Sequence, residues 1–328
     1  LVRNALISGK RPWYLRFLVN GQFVQALRES DIVISTGGHH ITTMFVPDAA
    51  TPQIFDMAVT LLYEKPLLLW SQSIGSFRFK SAKSRLMIQK ILSGTSQIFI
   101  RDEDSAEQIK EMQVSLENIS KTRESVFGLC DIVKSRTKPS TRPLVMGISV
   151  YVHTRANQIK EHENNPRYFA SLIDHAIEAG YKVRFFPMEL QGTDRSFIET
   201  VINNVDKKEN CEIVEGFPGT LDHINAISQC KMFVGHKTHS QIFSLLAATP
   251  LLAIAYHKKT EDFMAQYGLK EYCITDEQIS EEKLIELFDK INNNLDFINE
   301  KQEMTGPEMC KQVREDFARM IEQVRKSR

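Results

Sequence analysis

The sequence predicts an α/β protein of two doubly wound, parallel-sheet lobes with a cleft between them. Three observations carry that prediction. Short β-rich runs alternate with amphipathic helical stretches along most of the chain, the pattern of parallel sheets with crossover helices. The polar, proline-punctuated run from Lys134 to Pro143 divides the series in two, as a linker would. At 328 residues the chain is long for one hydrophobic core and comfortable for two.

The elements follow in order. Asp31 to Thr36 reads as a buried strand ending at Gly37 and Gly38. Pro52 to Glu64 has helical spacing, with Ile54, Phe55, Ala58, Leu61 and Leu62 on one face. Pro66 to Ser71 is a strand, and Gln72 to Phe77 a loop. Ser84 to Leu92 is a helix. Gln97 to Asp102 is a strand, with Asp102 or Asp104 able to cap the helix after it. Beyond the linker, strands are expected at Leu144–Tyr151, Lys182–Met188, Cys211–Phe217, Lys231–His236, Leu251–Tyr256 and Tyr272–Thr275, with helices between them. From about Ser280 the chain is helical, broken into two pieces at Gly306 and Pro307. The expected domains are a first lobe over residues 1–142, a second over 143–304, and a terminal helix over 305–328 returning to the first lobe.

Composition narrows the function classes. Forty-one basic residues balance forty-one acidic ones, which argues against nucleic acid as a partner. Local basic pockets remain compatible with that balance, because placement sets fields as much as totals do. The five cysteines are scattered and include no C-x-x-C pair. That suits neither a disulfide framework nor a zinc site, and it fits a reducing cytoplasmic setting. No stretch of eighteen or more apolar residues is present, so no membrane span is expected. No signal peptide is evident.

In open parallel sheets, ligands bind beyond the carboxyl ends of the strands. The loops there hold Gly37-Gly38-His39-His40, Gln72-Ser73, Arg101-Asp102, His153-Thr154-Arg155 and Gly192-Thr193-Asp194. They also hold two basic knots, His236-Lys237-Thr238-His239 and His257-Lys258-Lys259. The first knot leads into a helix, whose free N–H groups and dipole favour an anion. Neighbouring strands lie roughly 5 Å apart, so Lys258 or Lys259 reaches the same anion. The plainer alternative is a set of solvated loop charges, with Lys258 in water and His236 a packed histidine. The pair of knots together favours a site. Gly37 and Gly38 serve either a ligand's close approach or a turn. Arg101 either clamps an anion or pairs with Asp102 or Asp104. Asp194 is either a ligand group or a helix cap. His39 and His40 have no acidic or thiol partner at metal-binding spacing, so no metal is expected.

Taken in order, these pieces resemble the polysaccharide pyruvyl transferase family. The residues that carry the resemblance are Asp31-Ile32-Val33-Ile34 leading to Gly37-Gly38, then Ser71-Gln72-Ser73-Ile74-Gly75, then Arg101-Asp102 with Ser105. In the second half they are Val234-Gly235-His236-Lys237-Thr238-His239-Ser240 and Ala253-Ile254-Ala255-Tyr256-His257-Lys258-Lys259. The resemblance implies a GT-B-like fold of two Rossmann-like lobes. It implies transfer of a pyruvyl group from phosphoenolpyruvate to a sugar of a surface or exopolysaccharide, forming a cyclic ketal without metal or cofactor. It implies that His239 and Lys259 belong to the donor site. His239 would then act as the acid or as a phosphate ligand, with Lys237, His236, Ser240 and Arg101 also toward the donor. Gly37, Gly38, His39, Ser73 and Asp194 would line the sugar side of the cleft.

The expected partners are phosphoenolpyruvate and a glycan acceptor, with peripheral membrane contact if that acceptor is lipid-linked. Two departures stand out. The family's arginine before the histidine is Lys237 here, which keeps the charge and loses the planar two-point grip. The family's first strand and Asn-x-Gly-Asp-like loop are not found before Asp31, so the front of the first lobe is expected to be incomplete. Two other readings stay open: a GT-B glycosyltransferase using a nucleotide-sugar, with Glu215 or Glu261 toward the ribose, and a non-catalytic sugar-binding relative.

Overall fold

A computed structural model describes residues 1–10, 13, 21–44, 46–132, 138–151, 165–189, 194–216, 219–256 and 258–326. The sequence candidates His153, Thr154, Arg155, Gly192, Thr193 and His257 lie outside these residues, as does part of the linker. The chain divides into two compact units, Leu1–Gly128 with Lys311–Arg328, and Leu129–Cys310.

The first unit holds an all-parallel sheet of β1 (Val33–Ser35), β2 (Gly38–Ile41), β3 (Leu67–Ile74), β4 (Gln97–Ile100) and β5 (Ile119–Lys121). Strands β1 and β2 follow one another along the same flank of β3, pairing Val33 with Leu67 and Gly38 with Gln72. Strands β4 and β5 continue from the other flank. The helices are α1 (Val2–Ser8), α2 (Gly21–Glu29), α3 (Pro52–Leu62), α4 (Ala82–Gly94) and α5 (Glu103–Glu111). Ile54, Met57 and Ala58 of α3 and Met87, Ile88 and Ile91 of α4 pack in one core with Leu67, Leu69 and Ile98. Side-chain caps fix the starts of three helices: Thr51 for α3, Ser81 for α4 and Asp102 for α5.

The second unit holds β6 (Val145–Ser149), β7 (Lys182–Phe185), β8 (Cys211–Ile213), β9 (Met232–Gly235), β10 (Leu251–Ala255) and β11 (Cys273–Thr275). All are parallel, in the order β11-β10-β9-β6-β7-β8. The chain runs outward from β6 to β8, then returns to lay β9 on the other side of β6. The order reverses between β6 and β9, the place where such sheets open a ligand crevice. The helices are α6 (Pro166–Glu178), α7 (Asp194–Asn203), α8 (Thr220–Ser228), α9 (Thr238–Leu246), α10 (Lys258–Gln266), α11 (Glu281–Asn292) and α12 (Leu295–Lys326).

Three expectations are corrected. Gln72 and Ser73 lie inside β3, which runs to Ile74, rather than in a loop. Their polar side chains stay in the sheet because partners meet them there: Gln72 Nε2 donates to the carbonyls of Ser35 (3.1 Å) and Thr36 (2.8 Å). Helix α12 is not broken at Gly306-Pro307; it runs through Pro307, and the interruption falls between α11 and α12. Pro307 is exposed, while Ile298, Gln302, Met309 and Val313 are buried on either side of it. Packing of that stripe outweighs the lost backbone bond. Finally, Cys130 and Cys310 are joined in a disulfide with Cα atoms 5.9 Å apart. A pairing across 180 residues arises from tertiary proximity, which cysteine spacing does not record.

Candidate active site

The strand tips of the second unit gather most of the sequence candidates. Strands β9 and β10 are neighbours, and each leads into a nine-residue helix, α9 and α10. Gln241, fully buried in α9, ties the two starts together. Its Nε2 donates to the carbonyls of Gly235 (2.9 Å) and Ile254 (2.8 Å), and its Oε1 accepts from Thr260 Oγ1 (2.8 Å). The glycine at 235 is explained by this clamp, because a Cβ there would sit 2.7 Å from Gln241 Cγ. Thr238 Oγ1 adds a 3.0 Å bond to the hydroxyl of Tyr256, which follows β10.

Lys237 is the N-cap of α9 and supplies no side-chain cap to its first turn. Its ammonium is buried and turned elsewhere: Nζ lies 2.7 Å from Glu189 Oε1 and 2.8 Å from Asp194 Oδ1, and 5.0 Å from the Tyr151 ring centre. These are charge pairs at short range rather than aligned hydrogen bonds. Asp194 is therefore enclosed rather than open to a sugar, and the N–H groups it accepts precede α7. Its Oδ2 accepts the N–H groups of Met188 (3.0 Å) and Glu189 (3.2 Å), and its Oδ1 faces Lys237.

His236 is a packed histidine. Nε2 meets Asp276 Oδ1 at 2.8 Å, and Nδ1 accepts the Tyr151 N–H at 3.2 Å, so both ring nitrogens are committed. The rings of Tyr151, Phe169 and Tyr256 surround it. Ser240 Oγ is likewise engaged, donating to the Lys237 carbonyl at 2.7 Å. His239 and Lys258, in contrast, are exposed, and Lys259 is half-buried, all in the first turns of α9 and α10. Ser149 lies at the tip of β6, paired in register with Gly235. Its hydroxyl is buried and has no hydrogen-bond partner among the described residues. Two tied helix starts, with His239 and the Lys258–Lys259 pair in their first turns, and an unsatisfied hydroxyl at the tip of β6, the neighbour of β9, are features suited to a small anion.

In the first unit, Arg101 follows β4 and pairs with Glu124, not with Asp102 or Asp104. Nη1 lies 2.9 and 2.8 Å from the two Glu124 oxygens, both side chains being buried. Nε donates to Ser73 Oγ (2.8 Å) and Nη2 to the Gly38 carbonyl (3.1 Å). Asp102 accepts from Ser73 and caps α5 through Ser105 N–H (2.9 Å), while Ser105 Oγ accepts the Ile74 N–H (2.8 Å). Gly37 meets this network closely; a Cβ there would lie 3.1 Å from the Ser71 carbonyl and 3.2 Å from Ser125 Oγ. His39 Nε2 bonds the Gly75 carbonyl, and His40 Nε2 lies 3.3 Å from Ser35 Oγ. Burial, then the Arg101 guanidinium, then His39 hold His40 below its ordinary range. Gly37 and His40 line a cavity of about 400 Å³ together with Phe23, Thr36 and Asp56.

Residues that sequence reasoning missed are Glu124, Ser149, Tyr151, Glu189 and Asp276. Each lies 20 or more residues from its partner or, like Ser149, is marked only by strand register. Among the described residues, the one close trio of metal-ligand type is Cys130, Asp131 and Cys310, whose two sulfurs are bonded to each other.

Comparison with known proteins decides the family, because the model of polysaccharide pyruvyl transferase matches residues 3–258. The chain belongs to the polysaccharide pyruvyl transferase family. It is also similar to the amylovoran biosynthesis protein AmsJ of Erwinia amylovora, 22% identical over 96% of this chain and 73% of that one. Among solved structures it resembles the UDP-GlcNAc 2-epimerase of Neisseria meningitidis, with a TM-score of 0.59 at 10% identity, covering 99% of this chain and 81% of that one. It resembles a putative UDP-N-acetylglucosamine 2-epimerase of Listeria monocytogenes with a TM-score of 0.58 at 13% identity, covering 93% and 73%. The plant enzyme UGT73P12 of Glycyrrhiza uralensis gives 0.55 at 10% identity, covering 94% and 77%. These likenesses establish the GT-B-like α/β fold with two parallel sheets, and the family establishes a transferase of polysaccharide biosynthesis. No helix among the described residues is long and apolar enough to cross a membrane.

Proposed function

We propose that the protein transfers a pyruvyl group from phosphoenolpyruvate to two hydroxyls of a sugar in a surface or exopolysaccharide, forming a cyclic ketal and releasing phosphate. The observation that carries this reading is the pair of clamped helix starts at β9 and β10, which bring His239, Lys258 and Lys259 to one edge of the sheet. Phosphoenolpyruvate presents a carboxylate and a phosphate on one small frame, and two adjacent N-termini with several cations match that charge.

The reaction begins with a proton delivered to the methylene carbon of the donor. The neighbouring carbon gains oxocarbenium character and is attacked by a sugar hydroxyl, which loses its proton. Phosphate then leaves, and the second hydroxyl closes the ketal. His239 serves as the acid or binds the phosphate. A well-placed acid contributes roughly 10²–10⁴-fold. Lys259 and Lys237 stabilise the departing phosphate, with Ser149 and the first-turn N–H groups of α9 as further donors. His236 and Ser240 shape the site rather than touch the donor, since their polar atoms are already engaged. In the first unit, Arg101 and Ser73 brace the strand tips. The acceptor's linkage to lipid would bring peripheral membrane contact.

The test is direct. The protein is incubated with phosphoenolpyruvate and a panel of glycans, and phosphate release and ketal formation are followed. His239→Ala abolishes transfer while the circular dichroism spectrum and melting temperature persist; near-normal turnover removes His239 from the mechanism. A thermal shift with nucleotide-sugars and none with phosphoenolpyruvate would favour the glycosyltransferase reading instead.

A further inference from the structure

Lys237 carries one positive charge, and two carboxylates face it. They differ in kind. Asp194 is buried, with its side chain 1% exposed, and is locked at the start of α7 by two backbone N–H groups. Glu189 has a side chain 56% exposed, and its carboxylate lies against Lys237 at 2.7 Å. The trio is net negative by one charge. A phosphate or carboxylate brought to Lys237 would meet two like charges, and Asp194 has no route to leave without losing its two backbone bonds. Glu189 can swing into water at little cost, because a part-exposed ion pair is worth little.

We propose that the Glu189 carboxylate occupies the position on Lys237 that the donor's anionic group takes, so that Glu189 sets donor affinity and selects for the more highly charged anion. The proposal rests on the reading of Lys237 as a donor-binding cation. It gives the two acids separate roles. Asp194 is a positioning residue that holds the buried ammonium in place. Glu189 is a removable stand-in for the ligand, favouring a dianionic phosphate, which competes for the ammonium better than a single carboxylate does.

The experiment compares the full chain with E189Q, E189D and D194N. Binding of phosphoenolpyruvate, inorganic phosphate and acetate is measured by calorimetry, and KM and kcat by phosphate release. E189Q is expected to bind the two phosphates about two- to ten-fold more tightly, the range expected on losing one part-exposed competing charge. It is expected to lower the donor KM by more than it changes kcat, and to narrow the preference for phosphate over acetate. E189D, which keeps a carboxylate, returns affinity toward that of the parent. D194N weakens phosphate binding, since Lys237 loses its anchor. Unchanged or weaker phosphate binding by E189Q overturns the proposal, as does failure of both parent and E189Q to bind phosphate. If E189Q tightens inorganic phosphate but phosphoenolpyruvate supports no transfer to any glycan, the gate at Lys237 stands and the pyruvyl-transfer reading falls.

Discussion

Replacing Thr260 with Val removes one hydroxyl at nearly constant shape and leaves Gln241 Oε1 without its donor in a fully buried setting. A stranded buried acceptor costs about 1–3 kcal/mol, so the variant should lose about 1–2 kcal/mol from the second unit. Gln241→Leu is harsher. It withdraws a donor from the carbonyls of Gly235, His236 and Ile254 and the acceptor from Thr260, four buried polar groups at once. Allowing for the apolar side chain that fills the space, the loss is about 3–5 kcal/mol. The double variant should fall short of the sum by about 1–1.5 kcal/mol, because the Gln241–Thr260 bond is counted in both singles.

Trp13 and Trp70 both belong to the first unit, so tryptophan fluorescence is blind to this change. The readout is therefore urea-dependent hydrogen exchange of peptides covering β9 and β10. Donor KM is expected to rise with the loss of the clamp, as the two helix starts no longer hold one spacing. Additivity of the two substitutions within about 0.3 kcal/mol would refute the account of Gln241 as the tie between them.

Two further predictions concern pH and thiols. Burial is the leading cause that holds His40 and His223 below the ordinary 6.5, so the unfolded chain binds their protons first as pH falls. Their contribution to stability is full above about pH 6.5 and is lost as pH drops through the folded values; H40N and H223N should each flatten that slope in urea titrations, and an unchanged slope would count against the burial argument. Burial lifts the thiols of Cys211 to about 11 and of Cys230 and Cys273 to about 12, so iodoacetamide at pH 8 should label the native protein slowly. Urea without reductant should expose three thiols and urea with reductant all five; five without reductant would refute the Cys130–Cys310 bond.

The alternation of strands and helices was legible in the sequence because hydrophobic periodicity is a local property. Strand positions such as Leu251–Ala255 follow from a run of buried apolar residues. What the pattern could not show was where a polar residue finds its partner. Gln72 and Ser73 read as loop because they are polar, yet the ends of β1 and the side chain of Arg101 receive them inside the sheet. The same limit hid the disulfide and the passage of α12 through Pro307. The Arg101-Asp102 and Ser105 pattern was visible, but its physical meaning was not. Asp102 and Ser105 knit α5 to β3, so part of that signature records architecture rather than chemistry.

The same reasoning sorts the cations. Read from sequence, Arg101, Lys237, His236, His239 and Lys259 are all candidates for an anion, with His239 and Lys259 foremost. Burial separates them, because a charge taken out of water must meet an opposite charge or a full set of hydrogen bonds. Arg101 meets Glu124, Lys237 meets Asp194 and Glu189, and His236 meets Asp276, each across a sequence distance that spacing does not betray. His239 and Lys258 are exposed and Lys259 half-buried, all in the first turns of the two tied helices. On the proposal made above, an anion would reach Lys237 by displacing Glu189, the more exposed of the two acids that face it.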